Sequence, residues 1–257
     1  KNNKKFNYLN LIELKKILKF YSPNIIINCV AYTDVNKAEI DRKKCYNINT
    51  KAVIELTKYC KKNNIILIHF STDFVFDGRA KKPYLELSKT NPLNYYGKTK
   101  LLADKFIIKS KCKYIILRVS WLYNLNFNKN FINKIKTKLK KRENICVPIN
   151  QIGSPTSAKF IVKYLINIIK LIKLNKFKFG LYNLSTSKPK SRYHTAKFIA
   201  EKLKYNSKKI KPYEYNNDNE KVKRPYNSML DNTKISQALN IKLSTWKQDL
   251  RRNLINE

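Results

Sequence analysis

The chain has 257 residues, 43% apolar and 12% aromatic, with 55 Lys+Arg against 17 Asp+Glu and a formal net charge of +38. That apolar content over that length supports a buried core and excludes a disordered basic tail. No apolar run approaches the ~20 residues a membrane span needs, no signal peptide opens the chain, and five Cys with no C-x-x-C pair make no disulfide framework.

The charge invites a nucleic-acid reading, but its make-up argues against one. Lys accounts for 47 of the basic residues and Arg for only eight, and Lys, Asn and Ile together make 109 of 257 positions, against nine Ala and four Gly. Those abundant residues share A/T-rich codons, so the charge reads as base-composition drift on a tolerant surface. A nucleic-acid binder favours Arg and clusters it, whereas Lys here runs from end to end.

In chain order, Leu9–Phe20 has helical spacing with Leu11, Leu14, Ile17 and Leu18 on one side, and Ser22-Pro23 ends it. Asn24–Val30 is a short β-branched run of buried-strand type. Val35–Lys62 carries a helical pattern up to the break at Asn63-Asn64, and Ile65–Phe70 is the next strand. Ser71–Asn94 is rich in turns, Tyr95–Lys109 is helical, Tyr114–Val119 is a third strand and Phe131–Lys141 a further helix. This alternation predicts an α/β fold, a doubly wound parallel sheet covered by helices on both faces. After residue 144 the texture changes. Ile145–Ser157 is loop with a little strand, Lys159–Leu174 a long helix, Gly180–Leu184 a strand and Tyr193–Lys204 a helix. Residues 205–230 are irregular, and a last helix lies near Leu243–Leu254. This part reads as a smaller, loop-rich lobe leaning on the sheet.

The strongest local chemistry is Tyr96-Gly97-Lys98-Thr99-Lys100. Four-residue spacing puts Tyr96 and Lys100 on one helical face. An ammonium beside a phenol would favour phenolate and so pull the Tyr96 pKa down from its usual ~10. Ser71-Thr72-Asp73 follows the strand Ile65–Phe70, at the carboxyl end where open α/β sheets bind ligands. A hydroxyl there can bond the same oxygen that Tyr96 protonates. His69, inside an apolar strand, and His194, at a helix start, suggest no metal site.

Strand-end hydroxyl, loop, then Tyr-x-x-x-Lys is the order of the short-chain dehydrogenase/reductase superfamily. The stretches NCVAYTDVNKAE (Asn28–Glu39), STDFVFDG (Ser71–Gly78), NPLNYYGKTKL (Asn91–Leu101), ILRVSWLY (Ile116–Tyr123), QIGSPTS (Gln151–Ser157) and KRPYNSMLD (Lys223–Asp231) resemble the dTDP-4-dehydrorhamnose reductase family of its extended branch. The resemblance implies a Rossmann-type fold, with residues 1–143 as the NADP-binding domain and 144–257 mainly a substrate-binding lobe that returns some segments to the sheet. It implies NADPH-dependent reduction of the C4 ketone of dTDP-4-dehydro-L-rhamnose, with NADH as the second choice of cofactor.

It also implies roles. Thr72, Tyr96 and Lys100 would be catalytic. Asn28, Ala31, Tyr32, Thr33, Ser71, Tyr96 and Lys100 would line the cofactor. Asp73, Trp121, Asn130 and Arg224 would line the nucleotide-sugar pocket, where Arg suits a diphosphate. Some family members hold Mg²⁺ at a dimer contact, which leaves a homodimer open, but no acidic cluster here locates such a site. The expected setting is the cytoplasm, with neither nucleic acid nor membrane as partner. Two departures stand out. The family's opening strand and Gly-rich turn have no counterpart, Lys1–Phe20 matching the segment after them, and Cys29-Val30 replaces paired alanines. A regulatory subunit like the β subunit of methionine adenosyltransferase, or another sugar-nucleotide reductase or epimerase, shares the fold and stays open as an alternative.

Overall fold

The computed structural model describes residues 8–127 and 130–255, the side chain of Leu11 excepted. Lys1–Asn7, part of the stretch matched to the family, and Leu11's place on the apolar side of its helix lie outside the described residues. Helix α1 (Leu11–Tyr21) is capped by the Asn10 side chain and ends at Ser22 in the left-handed region (φ 41°). Then come strand β1 (Ile25–Asn28), helices α2 (Val35–Ala38), α3 (Arg42–Tyr46) and α4 (Ala52–Lys62), and strand β2 (Ile66–Thr72). Helix α5 (Tyr95–Ser110) leads to β3 (Tyr114–Val119) and the short β4 (Leu122–Tyr123); helix α6 is Phe131–Lys140. Three short strands follow, β5 (Ile145–Pro148), β6 (Ile152–Gly153) and β7 (Thr156–Ser157), then α7 (Ala158–Lys173) and β8 (Gly180–Asn183). The chain finishes with β9 (Lys190–Ser191), α8 (Arg192–Lys202), β10 (Ile210–Tyr213), α9 (Thr233–Leu239) and α10 (Trp246–Ile255).

The main sheet has the order β1-β2-β3-β8 and is parallel throughout. Its strands are apolar on both faces because both are covered. On one face Ile68, Ile115 and Leu117 pack against Ile161, Leu165 and Ile168 of α7 and Ile235 of α9. On the other, Leu67 and Ile116 meet Val53, Leu56 and Cys60 of α4 and Ala103 and Ile107 of α5. A second core joins Ile132 and Ile135 of α6, Ile145 and Val147 of β5, Ala196 and Ile199 of α8, Ile210 of β10, and Trp246 and Leu250 of α10. The two cores do not divide at residue 143, since α6 lies in the second and β8, α7 and α9 in the first. Asp249 ties α10 to the short strands, accepting from the Tyr123 hydroxyl (3.1 Å), the Ser157 amide (3.0 Å) and the Ser157 hydroxyl (2.8 Å).

One stretch differs from its sequence pattern. Val35–Lys62 reads as mostly helix, but Asp34 caps a single turn, the chain breaks at Glu39–Asp41, and a π-helical turn (Asn47–Lys51) joins α3 to α4. The extra residue of that turn aims buried Asn49 at the backbone of Tyr32. Its Oδ1 accepts the Tyr32 N–H (2.8 Å) and its Nδ2 donates to the Tyr32 carbonyl (3.1 Å) and Thr99 Oγ1 (3.1 Å). A helical period cannot register an inserted residue that serves such a contact. Helix α9 was not expected, and part of residues 205–230 forms β10.

Ile168 is fully buried, whereas Val162 on the same helix is 52% exposed. Ile168→Ala is expected to lower unfolding stability by about 2–5 kcal/mol in a urea titration, and Val162→Ala to stay within about 0.5 kcal/mol.

Candidate active site

Strand β2 extends two residues beyond its apolar run, so Ser71 and Thr72 are its last members. Adjacent strand residues face opposite sides of a sheet, and this separates them. Ser71 shares the α5 face with His69, and its hydroxyl donates to buried Asp104 Oδ2 (2.7 Å). Ser71, expected to line the cofactor, thus has its hydroxyl engaged inside the protein. Thr72 caps the turn Asp73–Val75, accepting the Phe74 N–H (3.2 Å) and donating to Asp73 Oδ1 (3.0 Å).

Asn94 starts α5, accepting the Gly97 N–H (2.9 Å) and donating to the Lys223 carbonyl (2.9 Å). Tyr96 lies in the first turn, half-buried, its ring edge-on to Phe74 at 5.9 Å between centroids. Gly97 permits this approach of helix to loop, since a Cβ there would sit 2.3 Å from the Phe74 carbonyl oxygen. Burial raises the Tyr96 pKa, Thr72 opposes the rise by hydrogen bonding, and the carboxylates of Asp73 and Asp104 add to it. The expected depression by Lys100 is absent. The Lys100 amine instead lies 3.0 Å from His69 Nε2 and donates to the Phe70 carbonyl (2.6 Å). Its pKa falls to about 8, through burial, against the pull of Asp104 and Cys45. Asp104 is ion-paired with Arg118 (Nε–Oδ2 3.4 Å), and Arg118 also donates to the Glu86 carbonyl (3.0 Å). Behind Thr72, Asp73 is 3% exposed and accepts from the Ser120 hydroxyl (3.3 Å); burial lifts its pKa to about 6, opposed by the nearby Ser228 hydroxyl and by hydrogen bonds from Thr72 and Ser120.

Beside this strand end lies a cavity of about 270 Å³ walled by Thr33, Trp121, Asn130, Phe131, Pro155 and Arg192. Trp121 (φ 44°) rests on Gly153, where a Cβ would meet its ring at 2.5 Å. Asn130 lines the cavity, but its amide closes its own loop: it caps α6 through the Asn133 N–H (3.0 Å) and donates to the carbonyls of Asn124 (2.7 Å) and Phe127 (2.6 Å). The amide expected to meet the substrate is thus engaged within its own loop. Arg224 donates to the Val222 carbonyl (3.0 Å) and to Asn36 Oδ1, which ties residues 188 apart in sequence.

The residue that sequence reading missed is Arg192. Its guanidinium stacks on Trp121 (4.2 Å) and Phe131 (4.8 Å), and Nε donates to Gln151 Oε1 (2.9 Å). Burial lowers its pKa to about 10, Asp73 opposes that fall and nearby Arg224 reinforces it. The scarcity of Arg in this chain was the available signal.

Of the other expected cofactor residues, Asn28 is buried, its Oδ1 accepting the Val30 N–H (3.1 Å), while Ala31 and Tyr32 run beside it and the Tyr32 hydroxyl donates to Asp41 (2.8 Å). Hydroxyls and an amine gathered at one strand end suit the nicotinamide-ribose end of a dinucleotide. Among the described residues no group of three or more His, Cys, Asp or Glu could hold a metal ion, and no helix is long and apolar enough to cross a membrane.

The RmlD substrate binding domain family matches residues 1–257. The dTDP-4-dehydrorhamnose reductase of Escherichia coli K12 is 36% identical over 183 residues, 71% of this chain and 60% of that protein. The Aggregatibacter actinomycetemcomitans enzyme of the same name is 35% identical over 170 residues, 66% of this chain and 58% of that protein. The matched part thus spans about three fifths of the length of these relatives. Among solved structures, the dTDP-4-dehydrorhamnose reductase of Bacillus anthracis in complex with NADP aligns over 100% of this chain and 88% of its own (TM-score 0.87, 28% identity). The Clostridium acetobutylicum ortholog aligns over 98% and 88% (TM-score 0.89, 28% identity).

Asp73 makes the site measurable by pH. Unfolded, it titrates near 3.8; folded, at about 6. Between those values the folded chain holds the extra proton, so stability from this group falls as pH rises from about 4 to 6, by about 3 kcal/mol in all, and stays lowered above. Asp73→Asn is expected to be more stable than the parent by about 1–3 kcal/mol at neutral pH, with the gain vanishing near pH 4 in urea titrations across that range. Gly97→Ala is expected to destabilise by about 1–3 kcal/mol, because backbone rather than a flexible side chain blocks its methyl.

Proposed function

The chain belongs to the RmlD substrate binding domain family, and from that membership and the site geometry we propose that it is a cytoplasmic oxidoreductase reducing the C4 ketone of dTDP-4-dehydro-L-rhamnose to dTDP-L-rhamnose. The observation that carries the reading is the Thr72–Tyr96 pair at the carboxyl end of β2, with Lys100 one turn along the same helix. The names of its relatives, and the NADP complex of one of them, support NADPH as cofactor and a nucleotide-sugar as substrate.

NADPH, when bound, supplies hydride to the ketone carbon. The chain does the rest. Thr72, its hydroxyl donating a hydrogen bond to Asp73, fixes the turn that brings the ketone oxygen to Tyr96. Tyr96 gives the phenolic proton to that oxygen as it becomes an alkoxide. Reduction needs the phenol protonated at the start, and burial with two nearby carboxylates favours that form. Lys100, one turn along the same helix, would hold the ribose hydroxyls of that cofactor. Arg192, flattened between Trp121 and Phe131, offers its remaining N–H groups to a diphosphate, and Arg224 adds to the same positive wall. The lobe formed mainly after residue 144 supplies the substrate side.

The test is an assay of the whole chain with dTDP-4-dehydro-L-rhamnose, following NADPH absorbance. Tyr96→Phe is expected to lower kcat by about 10²–10⁴-fold with unfolding stability kept. Undiminished turnover in that variant overturns the assignment. Arg192→Ala is expected to raise KM by about tenfold or more with a smaller change in kcat, the loss of a charge-assisted hydrogen bond worth about 1.5–3 kcal/mol.

A further inference from the structure

Four groups stand in line beneath the site: the Val30 amide, Asn28, His69 and Lys100. Asn28 is 4% exposed, His69 0% and Lys100 2%, so water does not complete their bonding. The polarity of the line follows from its one unambiguous end. A backbone N–H only donates, and that of Val30 lies 3.1 Å from one atom of the Asn28 amide, which must be the oxygen. The other atom is then the NH2 group, 3.0 Å from His69 Nδ1. An amide NH2 only donates, so Nδ1 presents its lone pair, and a neutral imidazole with a bare Nδ1 carries its hydrogen on Nε2.

Nε2–H faces the Lys100 nitrogen at 3.0 Å. An ammonium has three hydrogens and no lone pair, so it would set donor against donor. A neutral amine has one lone pair to accept with and keeps two hydrogens, one for the Phe70 carbonyl at 2.6 Å. An imidazolium fails at Asn28 and, against an ammonium, at Lys100 as well. One arrangement satisfies every contact.

We propose that His69 is a positioning residue: oriented by Asn28, it presents Nε2–H to Lys100 and favours the uncharged amine in the ligand-free protein, so that Lys100 gives up its proton at a lower pH than a surface lysine. Other titratable groups facing the amine are Asp104 on its own helix and Cys45 from α3; Asp104 is committed to Arg118 and Ser71. The lowering of the Lys100 pKa to about 8 by burial agrees in direction. The consequence rests on the reductase reading. The more readily Lys100 gives up its charge, the less it favours phenolate, and the more firmly Tyr96 keeps the proton that a reduction consumes.

The test needs neither cofactor nor substrate, so its outcome is separate from that of the activity assay. Long-range ¹H–¹⁵N spectra of labelled protein at about pH 9 are expected to show His69 with its hydrogen on Nε2. The ¹³Cε signal of Lys100, identified by its loss in Lys100→Arg, is expected to titrate at least one unit below the surface lysines, a tenfold difference in proton affinity. Nδ1–H on His69, or a Lys100 midpoint among the surface lysines, overturns the proposal. Asn28→Asp is near-isosteric and its carboxylate accepts from both Val30 and an Nδ1–H. It is expected to move the His69 hydrogen to Nδ1 and raise the Lys100 midpoint by a unit or more. A higher midpoint with the tautomer unchanged reflects only the added charge and overturns it too. If that variant does not fold, the parent spectrum decides.

Discussion

Lys100 and Asp104, one turn apart on α5 and both nearly inaccessible, lie against the carboxyl half of β2. Ionisable groups removed from water cost several kcal/mol each unless they are paired and fully hydrogen-bonded, so this choice dictates its neighbours. Asp104 takes Arg118 and Ser71. Lys100 takes the Phe70 carbonyl and His69, and His69 takes Asn28. Three adjacent strands are thereby bound to one helix by polar contacts that only a single register satisfies. Asn28 stands opposite His69 and Ser71 opposite Arg118 in the sheet, and a one-residue slip would turn each to the wrong face.

With α5 so fixed, its first turn has little freedom. Asn94 caps it and reaches to the Lys223 carbonyl, and Gly97 lets it settle on Phe74. Tyr96 is delivered next to Thr72 as a result, and the substrate side is built against this fixed edge. Ser120, one residue past β3, bonds Asp73 and the Ser228 carbonyl, which draws the segment after residue 223 over the strand end. Trp121 then turns back onto Gly153 and stacks with Arg192. Each contact joins a sheet residue to one far away in the chain, so the pocket exists only when both cores are formed.

That dependence explains what was legible beforehand. The parallel sheet and its helices were readable because β-branched runs and 3.6-residue periods are local. That Thr72, Tyr96 and Lys100 meet at one strand end was readable because order and spacing carry them. The bond from Ser71 to Asp104 was not legible because a motif names adjacent residues without saying which face each takes. The cap that Asn130 forms on α6 was not legible because a cap and a ligand contact ask for the same amide. His69 looked inert, since a histidine in an apolar run shows nothing of its partners, 41 residues back and 31 ahead. Asn49 was hidden by the π-helical turn that aims it.

The charge belongs to the same argument. A surface of exposed lysines is nearly indifferent to their number, which is how a chain can reach +38 and keep its fold. A buried cation is not indifferent to its chemistry. At Arg118 the planar fork reaches Asp104 with one nitrogen and the Glu86 carbonyl with another. At Arg192 a flat guanidinium lies on two aromatic rings while Nε holds Gln151. An ammonium on a flexible stem does neither. Drift toward lysine therefore stops where geometry rather than charge is required. In a chain with only eight arginines, those that persist inside mark the contacts that hold the site together.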